Sequence, residues 1–170
     1  MRRLRISMMV LLGAALAGCN EPGELYQRPP AEVRDLLRTV EVPLYMFGTS
    51  TDTRARVDAS DPAKVVWKIT SDDSSLMSFT AQLIPEGDAK TRVIVDIEGS
   101  KVSKYGDVEA RLQKVKEIRA LYLSSMTEAV DSTLDGRAYD MTATYPALMA
   151  ATAANAGRLF APTSGGNGPS

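Results

Sequence analysis

The 170-residue chain contains no histidine. With imidazole go the Ser-His-Asp and Cys-His nucleophile systems, a histidine general base and histidine metal ligands. A single cysteine, Cys19, can form neither an internal disulfide nor a thiolate cage. Also missing are a G-x-S-x-G elbow, an S-x-x-K pair, a P-loop, an EF-hand loop and a G-x-G-x-x-G turn. Positive charge is not in excess: Lys and Arg number 20 against 21 Asp and Glu. Without Arg2, Arg3 and Arg5 the balance is 17 to 21, a net charge of −4. A mildly acidic body gains nothing from the polyelectrolyte attraction behind nucleic-acid binding. These absences point to a non-catalytic protein with no cofactor and no nucleic-acid partner.

What is present starts at the N-terminus. Met1-Arg2-Arg3-Leu4-Arg5 is a short positive region, followed by an apolar stretch from Ile6 to Ala17. That is the layout of an export signal. A spanning helix needs about 20 apolar residues, and this run stops at Cys19 before Asn20 and Glu21. Leu16-Ala17-Gly18-Cys19 resembles the lipobox of bacterial lipoproteins. The resemblance implies cleavage before Cys19, a diacylglyceryl group on its thiol and a further acyl chain on its new amine. Two chains already hold a protein stably on a bilayer. Asn20 stands where the enterobacterial sorting pattern places aspartate for inner-membrane retention, so the resemblance favours the outer membrane, with the body facing the periplasm.

Residues 1–18 thus read as the signal, 19–30 as the lipidated cysteine with a flexible tether, 31–160 as one α+β domain, and 161–170 as a disordered tail. The tail assignment rests on Pro162, Gly165, Gly166, Gly168 and Pro169, with too little apolar area to offset ordering entropy. About 130 residues between tether and tail are enough for a core without staples.

Within the domain, Val33, Leu36, Leu37 and Val40 follow Pro29-Pro30 at helical spacing and predict a short amphipathic helix. Val40, Val42, Leu44 and Met46 alternate, and Pro43 makes that run an edge or irregular strand. Four further alternating or β-branched runs, around 53–57, 65–69, 77–83 and 93–97, are separated by turns at 58–62, 72–74 and 85–88. Such short turns require antiparallel pairing, so 53–98 is predicted to be a meander with one apolar face. Asp107 to Leu134 is the longest helical pattern, closing at Gly136. It is the natural lid for the sheet. An alanine-rich helix is predicted from Pro146 to Ala156, with Gly157 after it.

The order of helix, antiparallel meander and long C-terminal helix resembles the helix-grip domains of the START-like, polyketide-cyclase-like superfamily. Arg28-Pro29-Pro30-Ala31-Glu32-Val33 is similar to their proline-led first helix, and Lys90-Thr91-Arg92-Val93 to one of their strand openings. The family's long first strand has only Glu24-Leu25-Tyr26-Gln27 in its place here. The resemblance implies a sheet-helix cavity for a lipid, sterol or polyketide.

Arg119 is the candidate ligand-binding residue. On an unbroken helix it would stand only 20° from Val108, among Leu112, Val115, Tyr122 and Met126. Its guanidinium would then face an anionic headgroup, or else snorkel or pair with Asp96 or Glu98. Asp72-Asp73 and Asp58 with Asp61 lie in turns, where carboxylates cap backbone amides. Asp96 and Glu98 share a strand face and could at best hold a hard cation. Trp67 and Phe79 read as core. Residues 101–119 are locally +3, a patch that could rest on anionic lipid, with Arg111 and Lys114 pointing away from the apolar stripe. Two functions follow: an anchored module binding an apolar molecule, or an assembly lipoprotein docking another envelope protein through a face such as the 147–156 helix.

Overall fold

The computed structural model describes residues 22–47 and 52–159, with side chains described as far as residue 154. Cys19, the signal, the turn at Gly48 to Thr51 and the tail at 161–170 lie outside these residues.

A five-stranded antiparallel sheet, in which a short first strand, β1 (Glu24–Tyr26), precedes a four-stranded meander, has the order β1-β5-β4-β3-β2 and packs one face against helices. The meander consists of β2 (Thr53–Asp58), β3 (Lys64–Ser71), β4 (Ser74–Pro85) and β5 (Thr91–Gly99). Its register places Trp67 opposite Phe79 and Phe79 opposite Ile97. Val65, Trp67, Ile69, Met77, Phe79, Ala81 and Ile97 are all buried on that face, while their polar neighbours Lys68, Gln82 and Glu98 point outward. Alternation with period two therefore reads directly as inside and outside.

The β3-β4 link is a two-residue turn at Asp72-Asp73, both left-handed, with φ of 45° and 60°. Paired positive φ values match the right-handed twist of the flanking strands, and aspartate tolerates them better than most residues.

The predicted first helix is α1 (Pro30–Leu37), with Pro29 at the cap and Pro30 opening the first turn. Val33 and Leu37 are buried against the core. The expected irregular strand at 40–46 is instead a 3-10 turn at Leu44–Phe47. Pro43 removes the donor that a ladder would need, and among the described residues 40–46 joins no strand of the sheet.

A flexible tether was expected over 19–30, and part of that stretch belongs to the sheet. Glu24–Tyr26 form β1, paired with Val93 to Thr91 of β5. Tyr26 is buried and donates its hydroxyl to Asp131. Gly23, at φ 94°, lies so close to β5 that a Cβ there would stand 2.4 Å from the Val93 carbonyl oxygen. Three residues carry too little periodicity to be seen in the sequence, and one buried aromatic holds them in place.

The long helical pattern is two helices, α2 (Val108–Lys114) and α3 (Lys116–Asp135). Val115 leaves helical geometry, at φ −119° and ψ 79°. Asp107 caps α2 through a 2.7 Å bond from the Ala110 N–H, and Gly136 ends α3 at φ 66°. The last helix, α4 (Tyr145–Leu159), runs through Gly157 rather than stopping there. Its Ala151 is buried, and α4 packs on α3.

Asp131 is half-buried on α3 beside Glu24, Glu128 and Asp135. Burial raises its carboxyl above the ordinary value, those like charges add to the rise, and the Tyr26 hydroxyl opposes it. Because the folded value exceeds the unfolded one, the penalty is fully present above the folded value. It disappears below the unfolded value of about 4. Asp131→Asn is therefore expected to stabilise the protein at pH 7 by up to about 1 kcal/mol while keeping an acceptor for Tyr26. The gain should shrink on acidification to pH 4, measured by urea unfolding at both pH values. A loss at pH 7, or a gain that persists unchanged at pH 4, would contradict this account.

Candidate functional site

A groove of about 630 Å³ opens where the β3-β4 end of the sheet meets α2 and the start of α3. That volume lies within the range of small-molecule sites. The helices contribute Val108, Leu112, Val115, Ile118 and Tyr122, and the sheet contributes Ser71, Leu76 and Met77. Phe47 closes one side by stacking on Tyr122, with ring centroids 5.2 Å apart. The break at Val115 divides this wall between two helices, with Val108 and Leu112 on α2 and Ile118 and Tyr122 on α3.

Polar groups sit at two places. At the hairpin end, the buried Ser71 hydroxyl lies 3.4 Å from both Thr53 Oγ1 and the Tyr105 hydroxyl. Tyr105 donates to Asp72 at 2.5 Å, and the Lys104 ammonium pairs with the same carboxylate at 2.6 Å. Those two contacts, Lys104 first, hold the Asp72 carboxyl down at about 2. The Asp72-Asp73 turn is thus held by backbone geometry and by this clasp.

At the mouth stand Arg111 and Lys114, both exposed. They were expected to point away from the apolar stripe, and the structure brings them to the rim of the groove. Both lie on α2 with Val108 and Leu112, and the groove extends far enough around that helix to reach its exposed flank. Burial pushes the Tyr122 hydroxyl up, and the Arg111 charge offsets part of that rise. No carboxylate lines the groove among the described residues.

Arg119 does not face this groove. Its Nη1 donates to the Ile97 carbonyl at 2.7 Å and its Nη2 pairs with Asp96 Oδ1 at 2.8 Å. The role is structural: β1 covers only Thr91 to Val93, so the rest of β5 is an open edge. Arg119 takes the Ile97 carbonyl, Asp96 accepts from the Ile97 N–H at 2.7 Å, and Glu109 accepts from the Gly99 N–H at 2.6 Å. The Gln113 amide and the Gly99 N–H hold the Glu109 carboxyl below its usual range. Side chains that occupy edge groups also block pairing with another chain. Of the roles expected for Arg119, the pairing with Asp96 is the one found here.

The other carboxylate clusters are also structural. Asp58 Oδ1 accepts from the Ser60 N–H and hydroxyl, and Asp61 Oδ1 accepts from the Ala63 N–H. Among the described residues no three metal-ligating side chains converge, and no helix is long and apolar enough to cross a membrane. Cys19 lies outside the described residues.

Compared with known proteins, the chain matches no family model, no curated sequence and no solved structure.

Proposed function

We propose that the protein is a membrane-anchored lipoprotein of the bacterial envelope, non-catalytic, whose domain holds an apolar small molecule or lipid. The groove between the sheet end and α2-α3 carries the ligand part of this reading. Its walls are apolar, its volume of about 630 Å³ suits such a ligand, and its few polar groups lie at the ends. The anchor rests on the Leu16-Ala17-Gly18-Cys19 motif.

Both parts are testable on the chain purified from bacterial membranes. Mass analysis of the N-terminal peptide should find acyl mass on Cys19, and Cys19→Ser should move the protein to the soluble fraction. Native mass spectrometry should find a co-purified apolar ligand that is lost in Val115→Trp, where the indole fills a half-exposed groove position. A Cys19 peptide without added hydrocarbon would refute the anchor, and a ligand-free wild type that takes up no added lipid would refute the binding module.

A second reading is an assembly lipoprotein docking another envelope protein through α4. It draws on Tyr145 and, about one helical turn on, the adjacent Leu148 and Met149, left 51%, 43% and 67% exposed. Single exposed apolar residues need no explanation, and a turn-spaced group is what a partner helix or sheet would cover. Crosslinking in cells to a partner that Leu148→Asp abolishes without unfolding the domain would favour this reading.

A further inference from the structure

Arg111 and Lys114 share the last turn of α2, three residues apart, at the rim of the groove. Two nearby cations are already engaged, Lys104 with Asp72 and Arg119 with Asp96. Neither Arg111 nor Lys114 forms an ion pair within 4.0 Å among the described residues. An apolar groove with two such cations at its mouth, and no lining carboxylate, complements an amphiphile with one anionic end.

We infer that the groove takes a long-chain carboxylate. The acyl chain would lie along Val115, Ile118, Leu76 and Tyr122, and the carboxylate would meet Arg111 and Lys114 at the rim. The inference rests on the ligand-binding reading above and narrows it to one class. A single chain suits one groove, and a planar carboxylate suits the fork of a guanidinium, with the ammonium as a second, less directional donor. Exposure of both cations keeps the interaction modest per contact, so selectivity for the carboxylate should be near tenfold rather than absolute.

The test uses the full chain, with cis-parinaric acid as fluorescent probe and hexadecanoate or hexadecanol as competitors, all below their aggregation concentrations. Hexadecanoate should displace the probe about tenfold more effectively than hexadecanol. In Arg111→Gln/Lys114→Gln that preference should fall to about equality, while hexadecanol competes as before. Lys101→Gln/Lys116→Gln removes the same charge from residues that do not line the groove and should keep the preference.

Equal competition by acid and alcohol in the wild type, or a preference that survives loss of both rim cations, would overturn the carboxylate assignment and leave the apolar site standing. Failure of probe and both competitors to bind at all would instead overturn the ligand-binding reading beneath it. Binding to phosphatidylglycerol vesicles without binding to monomeric hexadecanoate would also overturn the inference, because the two cations would then be meeting a bilayer surface.

Discussion

Alanine at Gly99 should destabilise the protein by about 3 kcal/mol, through overpacking against backbone. A Cβ built at this position would stand 2.5 Å from the Glu109 nitrogen, 2.6 Å from the Glu109 Cα and 2.8 Å from the Val108 carbonyl carbon. All three atoms are main chain, so no side chain can swing aside. The start of α2 must lift away from β5. That movement would break the 2.6 Å bond from the Gly99 N–H to Glu109 and strain the 2.9 Å bond from the Val108 N–H to the Ser100 carbonyl. Val108 and Leu112 form one wall of the groove, so Gly99→Ala should lower the urea midpoint and weaken probe binding together. Wild-type stability with unaltered binding would show that this close approach does not hold the site.

Phe79→Ala should cost more, about 3–5 kcal/mol, the range for truncating a fully buried aromatic. Phe79 has no exposed surface and sits on β4, between Trp67 of β3 and Ile97 of β5. Trp67, 1% exposed, fills the space beside it, so the centre of the sheet-helix interface is solid. The groove lies to one end for this reason. Truncation would open a dry apolar cavity in that centre, and such cavities take up benzene or xenon. Thermal unfolding should show the loss, and benzene should restore part of it. A loss below about 1 kcal/mol would mean that the interface repacks and that its centre is not close-packed.

The meander was legible because each strand alternates apolar and polar residues and each ends at a turn signal. The Asp58 to Pro62 and Asp72-Asp73 turns fall where the sequence puts them, as do Pro30 at the start of α1 and Gly136 at the end of α3. Local rules suffice at such places, since backbone conformation and hydrogen-bonding partner lie within a few residues. The break at Val115 was not legible. No proline or glycine interrupts 107–135, and the helical pattern reads smoothly through it. Val115 departs from the helix because α2 must meet β5 at Gly99 while α3 runs over the core.

The candidate site follows the same division. The local positive charge of 101–119 is plain in the sequence, and which cations face the groove is not. A single helical phase ran through the break and placed Arg119 on the stripe and Arg111 and Lys114 off it. The structure assigns Arg119 to the open edge of β5 and the other two to the rim. β1 was missed for a comparable reason: its evidence is the burial of Tyr26 and its bond to Asp131, 105 residues away.

By itself the sequence determined the α+β class, the antiparallel order of the meander, the faces that β3, β4 and β5 bury, the start of α1 and the end of α3, all set by side-chain period and near-neighbour hydrogen bonds; β2, which also reads as alternating, leaves Val57 41% exposed. Only the tertiary structure decided where the long helix divides, which edge of the sheet stays open, and which charges meet a cavity. Those depend on contacts between residues far apart in the chain, where close packing and unmet backbone groups outweigh local preference.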